Sequence, residues 1–296
     1  MQTLKQTIQQ AQENKTALGH FNIANLEMLK GVFLAVQEKS KSTGASIPVI
    51  IGLSESERKY IGAKQAVAFI KNLRTETDYP IFINADHCHS HASALEAAEA
   101  GFDALVIDNS KFSLAENIAA TKKTVSQIKE NYPDILTEGE IGFIGGSSKL
   151  LDEIPANAKI TDEQMTTPEE AAKFVRETGV DLLAPAVGNL HGVLKSSPNP
   201  CLNISRIKEL AAVVATPLVL HGGSGISDDD IKEAVAAGMA VVHISTDLRV
   251  AYRSALQELS GNFFQNNPDE FAPYKIMEPV ITAVQKAVAK KLNLFS

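Results

Sequence analysis

Apolar residues along this chain gather into short blocks separated by longer stretches of mixed polarity. Blocks rich in aliphatic and β-branched side chains occur near residues 16–21 (TALGHF), 46–51 (SIPVII), 79–84 (YPIFIN) and 102–107 (FDALVI). Four more follow near 135–141 (ILTEGEI), 180–186 (VDLLAPA), 216–220 (TPLVL) and 239–244 (MAVVHI). Each is too short for a helix and too uniformly apolar for a strand with one face in water, which predicts eight strands buried on both faces. The stretches between them are amphipathic and carry helix-end signals. Ser113 with Glu116 has capping-box spacing, Thr167-Pro168 with Glu170 combines a cap with a first-turn proline, and Ser227 precedes three aspartates. Gly101, Gly179 and Gly238 each stand between such a segment and the next apolar block, where a glycine accepts the left-handed turn that ends a helix.

Eight strand–helix units of about 30 residues each predict an α/β chain folded as a (β/α)8 TIM barrel with extra C-terminal helices. An open doubly wound sheet is the alternative that alternation alone leaves standing. Residues 1–296 read as one domain, because no Gly/Ser/Pro linker or low-complexity tract divides them. One connection, about 142–166, is too long and too glycine-marked for a plain turn and is expected to be a lid. The tail from about 262 to 296 adds helices after the eighth unit.

Composition narrows the function classes. The 28 Lys+Arg against 35 Asp+Glu leave a net charge of −7, which argues against nucleic acid or an anionic membrane surface as partner. No apolar run approaches the roughly 20 residues of a membrane span, and the polar first residues do not read as a signal peptide. Two cysteines, Cys88 and Cys201, make no disulfide framework, so a cytoplasmic location is expected.

In a parallel barrel, chemistry collects where strands end. Those positions carry Asp86-His87-Cys88-His89, Asp108-Asn109-Ser110, Glu138 and Glu140, Gly188-Asn189-Leu190-His191-Gly192, His221-Gly222-Gly223-Ser224-Gly225, and His243 with Ser245, Thr246 and Asp247. A single histidine in such a place is more often core or surface than ligand. Three on separate strand ends, His87, His191 and His221, converge on one mouth, and three imidazoles with an open position suit a catalytic zinc. The run Gly222-Gly223-Ser224 lets backbone N–H groups approach an anion, and the loops after the last two strands are a recurring phosphate site in this fold. Asp86 is placed for acid–base work or for orienting the neighbouring ligand. A second metal in the Cys88-His89-His91 cluster is a minor alternative to a plain loop and helix start.

These residues, with FNIANLE (21–27), SESERKYIG (54–62), VIDNS (106–110), EGEIGFIGG (138–146), LAPAVGNLHG (183–192), PLVLHGGSG (217–225) and STDLRVAY (245–252), resemble the class II, zinc-dependent ketose-bisphosphate aldolases. Those are chiefly fructose-bisphosphate aldolase and its tagatose-bisphosphate relatives. The resemblance covers nearly the whole chain. It implies reversible cleavage of a ketose 1,6-bisphosphate, with fructose 1,6-bisphosphate the expected substrate and tagatose bisphosphate or another phosphorylated ketose the alternative, to dihydroxyacetone phosphate and glyceraldehyde 3-phosphate through a zinc-stabilised enediolate. It implies His87, His191 and His221 as zinc ligands, with Asp108 and Glu140 as acidic positions near the metal. Asp86 would exchange a proton with the C4 oxygen. Gly192, Gly222, Gly223, Ser224, His243, Ser245 and Thr246 would form the dihydroxyacetone phosphate site, and Ser54 would meet the second phosphate. A second divalent ion, a monovalent cation (Na+ or K+) and a homodimer or homotetramer are further implications.

Three departures stand against the family pattern. The lid position that carries the family's proton-abstracting Glu is Ser148, so Glu153 is the expected substitute, with Asp152 the lesser alternative. The family's Asn after the last strand is His243, with Ser245 two residues on. The Asp-Pro-Arg whose Arg helps bind the distal phosphate reads Ala272-Pro273-Tyr274, leaving Lys275 or Arg249 to supply charge. Two readings from other classes are a metal-dependent hydrolase, prompted by the His87-Cys88-His89 pair, and a phosphosugar-binding protein that has lost the base.

Overall fold

The apolar blocks pair edge to edge in the computed structural model, which describes residues 2–145, 148–155, 158 and 160–295. Ten strands follow in chain order: β1 (Leu18–Asn22), β2 (Val49–Leu53), β3 (Ile81–Cys88), β4 (Ala104–Ile107), β5 (Leu136–Ile141), β6 (Leu150–Leu151), β7 (Leu182–Pro185), β8 (Val193–Leu194), β9 (Leu218–Leu220) and β10 (Met239–Ile244). Eight of them close a barrel in the order β1-β10-β9-β7-β5-β4-β3-β2, every neighbour parallel. The open sheet is excluded because β1 pairs with both β2 and β10.

Several strands start two or three residues later than the apolar pattern predicts. Pro48, Pro80 and Pro217 stand immediately before β2, β3 and β9, where a residue without an N–H costs the ladder nothing. The helix signals stand as read. Ser113, Thr167 and Ser227 cap helices Leu114–Asn131, Pro168–Thr178 and Asp228–Ala237, the first two with full capping boxes. Gly101 and Gly179 end their helices in the left-handed region.

Two apolar layers result. The larger lies between the barrel and its ring of helices. The smaller fills the barrel with Leu18, Ile50, Phe82, Leu136, Leu182, Val219 and Val241, stoppered by Leu4, Ile8 and Ala11 of helix Leu4–Asn14. The tail helix Glu278–Leu292 packs on helices Leu26–Thr43 and Thr246–Glu258, joining the first unit to the last. At Gly31 a Cβ would stand 2.8 Å from Val284 Cβ, so the close crossing of these two helices depends on that glycine.

The expected lid is partly a docked strap. Within it β6 pairs with β8, in the loop after β7. Its far end is fixed by the Thr166 hydroxyl, which donates to the Ile141 carbonyl and accepts from Ala186 N–H.

Candidate metal centre and phosphate cradle

The barrel interior changes character along each strand. Two residues beyond the apolar layer, alternation brings the next inward side chains to the same mouth: Leu18 gives way to His20 and Asn22, Phe82 to Asn84 and Asp86, Leu136 to Glu138 and Glu140, Val219 to His221, and Val241 to His243. All of these polar residues are buried.

His87 breaks the alternation. It follows Asp86 directly and should face the opposite side, yet both serve the mouth. Its backbone is left-handed (φ 53°), and the β3–β4 register shifts between Ala85 and Cys88. A bulge of this kind re-aims a side chain at a cost of about 1–3 kcal/mol in backbone strain. Asp86, His87 and Cys88 therefore belong to the strand itself, where the sequence reading placed them in the loop after it.

His87, Glu140, His191 and His221 each offer a ligand atom within 4.8 Å of the others. The ring centroids of His87 lie 4.9 Å from His191 and 5.0 Å from His221. His191 Nε2 and one Glu140 carboxylate oxygen are buried without any hydrogen-bond partner, an arrangement that is costly unless a cation takes them up. Three imidazoles and a carboxylate form a donor set that suits zinc, so these residues fit the expected metal. Neighbours orient the ligands: His87 Nδ1 is 2.9 Å from Asp108, and His221 Nδ1 is 2.9 Å from Glu140. Asp108 is fixed in turn by the Ser110 N–H and hydroxyl, the supporting shell that sets ring orientation at a metal site.

The electrostatics are those of a site rich in buried acid. Burial opposes the Asp108 carboxylate, but hydrogen bonds from His87, His89 and Ser110 hold its pKa far below the ordinary value. Asp86 is likewise pulled well down against burial by the His87 charge and the His243 contact. Burial would lower His221, yet Glu138 at 2.6 Å and Glu140 raise it well above its usual value. A positive charge is thus called for at the centre of this group.

Beside the metal group lies the cradle. Gly192 (φ 103°) and Gly222 (φ 64°) adopt left-handed backbone, and a Cβ at Gly222 would collide with the Leu190 carbonyl oxygen. Ser224 Oγ accepts the N–H of Ser245 and of Asp247, knitting the loop after β9 to the start of helix Thr246–Glu258. A small cavity between them is lined by Asp86, His191, Gly192, Gly222, Ser224, His243, Ser245 and Thr246. It continues into a cleft of about 330 Å³ that includes Ser54, Ser56, His87, His89, Asp108 and Arg249. Ser148 lines both.

The structure therefore brings together Asp86, the three histidines, Asp108, Glu140, Gly192, Gly222, Ser224, His243, Ser245 and Thr246, with Ser54 at the cleft's outer edge. Gly223 packs behind them, with room for no Cβ between Val242 and the His243 carbonyl. Glu153 is different: it stands exposed just past β6 and lines neither cavity. The Cys88-His89-His91 cluster does not converge. Cys88 is buried against Arg58, His91 bonds Thr124 and Gln127, and His89 turns to Asp108 at 3.2 Å.

Sequence reasoning passed over the inner histidine. His20 stacks on His243 with ring centroids 3.5 Å apart, and His243 stacks on His221 at 4.3 Å. Burial lowers the His20 pKa to about 4, so its ring is neutral. Asn22 and Glu57 also join the network, beside Glu138, which the strand-end pattern includes; the signal for Asn22 was inward alternation with His20 on its own strand.

Comparison with known proteins agrees with this geometry. The family model for "Fructose-bisphosphate aldolase class-II" matches residues 2–296. The chain is 33% identical to a Bacillus subtilis protein named "Probable fructose-bisphosphate aldolase" and 32% identical to the fructose-bisphosphate aldolase of Staphylococcus aureus, in each case over 99% of this chain and 96% of the relative. Among solved structures, the YdjI aldolase of Escherichia coli K12 superposes with a TM-score of 0.80 at 29% identity, covering 100% of this chain and 98% of that one. With the barrel, the histidine group and the glycine cradle in place, the chain belongs to the class II fructose-bisphosphate aldolase family, a family of carbon–carbon lyases.

Proposed function

We propose that this chain catalyses the reversible aldol cleavage of fructose 1,6-bisphosphate to dihydroxyacetone phosphate and glyceraldehyde 3-phosphate. The observation that carries this reading is the convergence of His87, His191, His221 and Glu140 beside the Gly192/Gly222/Ser224 cradle. His87, His191 and His221 would hold zinc, with Glu140 and Asp108 beside them. Bound there, the metal supplies Lewis-acid polarisation of the ketose carbonyl.

The chain's own groups then have distinct tasks. The cradle's backbone N–H groups and the Ser224 and Thr246 hydroxyls receive the 1-phosphate, with Gly223 keeping the backbone close. His243 and Ser245 line the space between phosphate and metal, where the three-carbon fragment must lie. In cleavage, the Asp86 carboxylate takes the proton from the C4 hydroxyl as the C3–C4 bond breaks, and the electron pair stays on the carbon beside the carbonyl. That carbon must then gain a proton, and in synthesis lose it. Ser148 has no group for this step, so Glu153 is assigned to it, with the strap after β6 as the part that must bring it in. Ser54 receives the far end of the ketose.

Free thiols at buried Cys88 and exposed Cys201 favour a reducing cytoplasm. A homodimer or homotetramer is the assembly this reading expects, as the family resemblance implies, and Phe271 and Tyr274, both large and exposed within the tail, are side chains a partner subunit would cover. Among the described residues no helix is long and apolar enough to cross a membrane.

The experiment is cleavage of fructose 1,6-bisphosphate and tagatose 1,6-bisphosphate with and without chelator, followed by borohydride treatment in the presence of substrate. The reading expects fructose bisphosphate to be cleaved faster, chelator to abolish both activities, and borohydride to leave the enzyme active. A lysine trapped by borohydride would falsify it.

A further inference from the structure

We propose that Arg249 is a positioning residue that sets the carboxyl of Asp86 and anchors the loop at Ser148, and that it does not bind the distal phosphate. A continuous chain of contacts carries this. Arg249 Nη1 donates to the Ser148 carbonyl at 2.8 Å, and Nη2 meets Glu57 Oε1 at 2.6 Å. The other Glu57 oxygen accepts from Asn22 Nδ2 at 3.1 Å, and the same amide nitrogen donates to Asp86 Oδ2 at 2.8 Å. Glu57 and Asn22 are 5% and 2% exposed, so this chain runs through the interior.

The physical logic is charge compensation. A buried carboxylate needs a partner, and among the described residues Arg249 is the cation that meets Glu57. Without it Glu57 keeps only neutral donors, the Ser54 N–H and the Asn22 amide, its charge is uncompensated, and the amide that fixes Asp86 Oδ2 is held less firmly. The backbone beneath is held separately: buried Arg58 donates to the carbonyls of Leu53, Asp86 and His87. Two arginines thus divide the work, one fixing the strand end and the other fixing the side chain.

Arg249 also lines the cleft near Ser54 and Ser56, which makes it a natural candidate for a phosphate ligand. Two of its five N–H groups are engaged by Ser148 and Glu57 and its charge compensates buried Glu57, so a phosphate drawing on the remaining N–H groups would compete with the contact that steadies Asp86. The inference rests on the aldolase reading.

The test uses the zinc-loaded full chain with Arg249→Met, Arg249→Lys and Glu57→Gln. Each is assayed on fructose 1,6-bisphosphate and fructose 1-phosphate, with limited proteolysis of the loop around Ser148 as a second readout. Misplacement of a catalytic group by about 1 Å costs on the order of 100-fold. We expect Arg249→Met and Glu57→Gln to lower kcat roughly 10- to 100-fold on both ketoses while KM moves less than about threefold. Arg249→Lys should recover part of that loss, and Arg249→Met should be cut faster near Ser148. A loss confined to the bisphosphate and carried by KM would overturn the proposal in favour of a phosphate ligand. Unchanged kcat with an unchanged protease pattern would overturn it outright. Wild-type protein that cleaves neither ketose would end the aldolase reading, while the protease pattern of Arg249→Met would still decide the anchor.

Discussion

His87 and His20 show how differently two histidines in one barrel can be used. His87 occupies a backbone conformation that a non-glycine residue adopts only when its surroundings enforce it. Arg58, holding the His87 carbonyl, and Asp108, holding its ring, are those surroundings. The convergence of His87, His191 and His221 was legible because each follows an apolar block. The left-handed turn at His87 was not, since no local turn residue announces it and the surrounding tertiary contacts impose it. His20 stands within the first strand, where alternation from Leu18 points it inward. Its folded-state pKa of about 4, against an ordinary 6.5, has a consequence for stability. The unfolded chain binds the proton more readily, so the contribution is full above pH about 6.5 and is lost as pH falls toward 4, amounting to roughly 3 kcal/mol in all. Denaturant melts of wild type and His20→Gln between pH 7 and 4 should converge as the acid sensitivity of the wild type disappears in the variant. Parallel curves over that range would show that His20 does not titrate in this way.

At the level of elements, the helix boundaries came through because their signals are chemical and local: a hydroxyl at the cap, a carboxylate three residues on, a glycine at the end. Strand starts were misplaced because an apolar residue such as Tyr79 can pack without pairing, and prolines mark the difference. The strap is the least legible element. Its pairing of β6 with β8 joins two loops over 40 residues apart in sequence, a long-range contact with no periodicity to announce it, and its residues 146, 147, 156, 157 and 159 lie outside those described. The cradle loop offers a sharper test of element geometry. Gly222 combines positive φ with a Leu190 carbonyl in the space a Cβ would need. Gly222→Ala should therefore lose more than about 1 kcal/mol of stability. Affinity for inorganic phosphate should fall with it, as read by thermal melts with and without the anion. A variant with wild-type stability and phosphate response would show that the loop relaxes freely.

For the whole molecule, a net charge of −7 and a doubly phosphorylated substrate look mismatched until the charges are located. Asp86, Asp108, Glu138 and Glu140 converge at the mouth, and two nearby arginines are committed, Arg58 to backbone carbonyls and Arg249 to Glu57 and Ser148. In the proposed function an anion is met by backbone N–H groups, hydroxyls and the cation the histidines would hold; the negative composition argues against a polyanion partner but not against a sugar phosphate. The barrel and its mouth could be read from the chain because each strand repeats the same apolar-then-polar order. The partner for the far phosphate could not, because Ala272-Pro273-Tyr274 removes the expected charge and offers no replacement of its own.

Carbon–carbon cleavage by this chain is expected to depend on a metal held by the histidine group at the mouth. Metal-depleted protein titrated with zinc, with bound metal and fructose 1,6-bisphosphate cleavage followed in the same samples, tests it most directly. Both should rise together and reach a plateau near one zinc per chain, and His191→Ala should lose both. Full cleavage by the metal-free protein, or zinc bound at wild-type stoichiometry and affinity by His191→Ala, would contradict it.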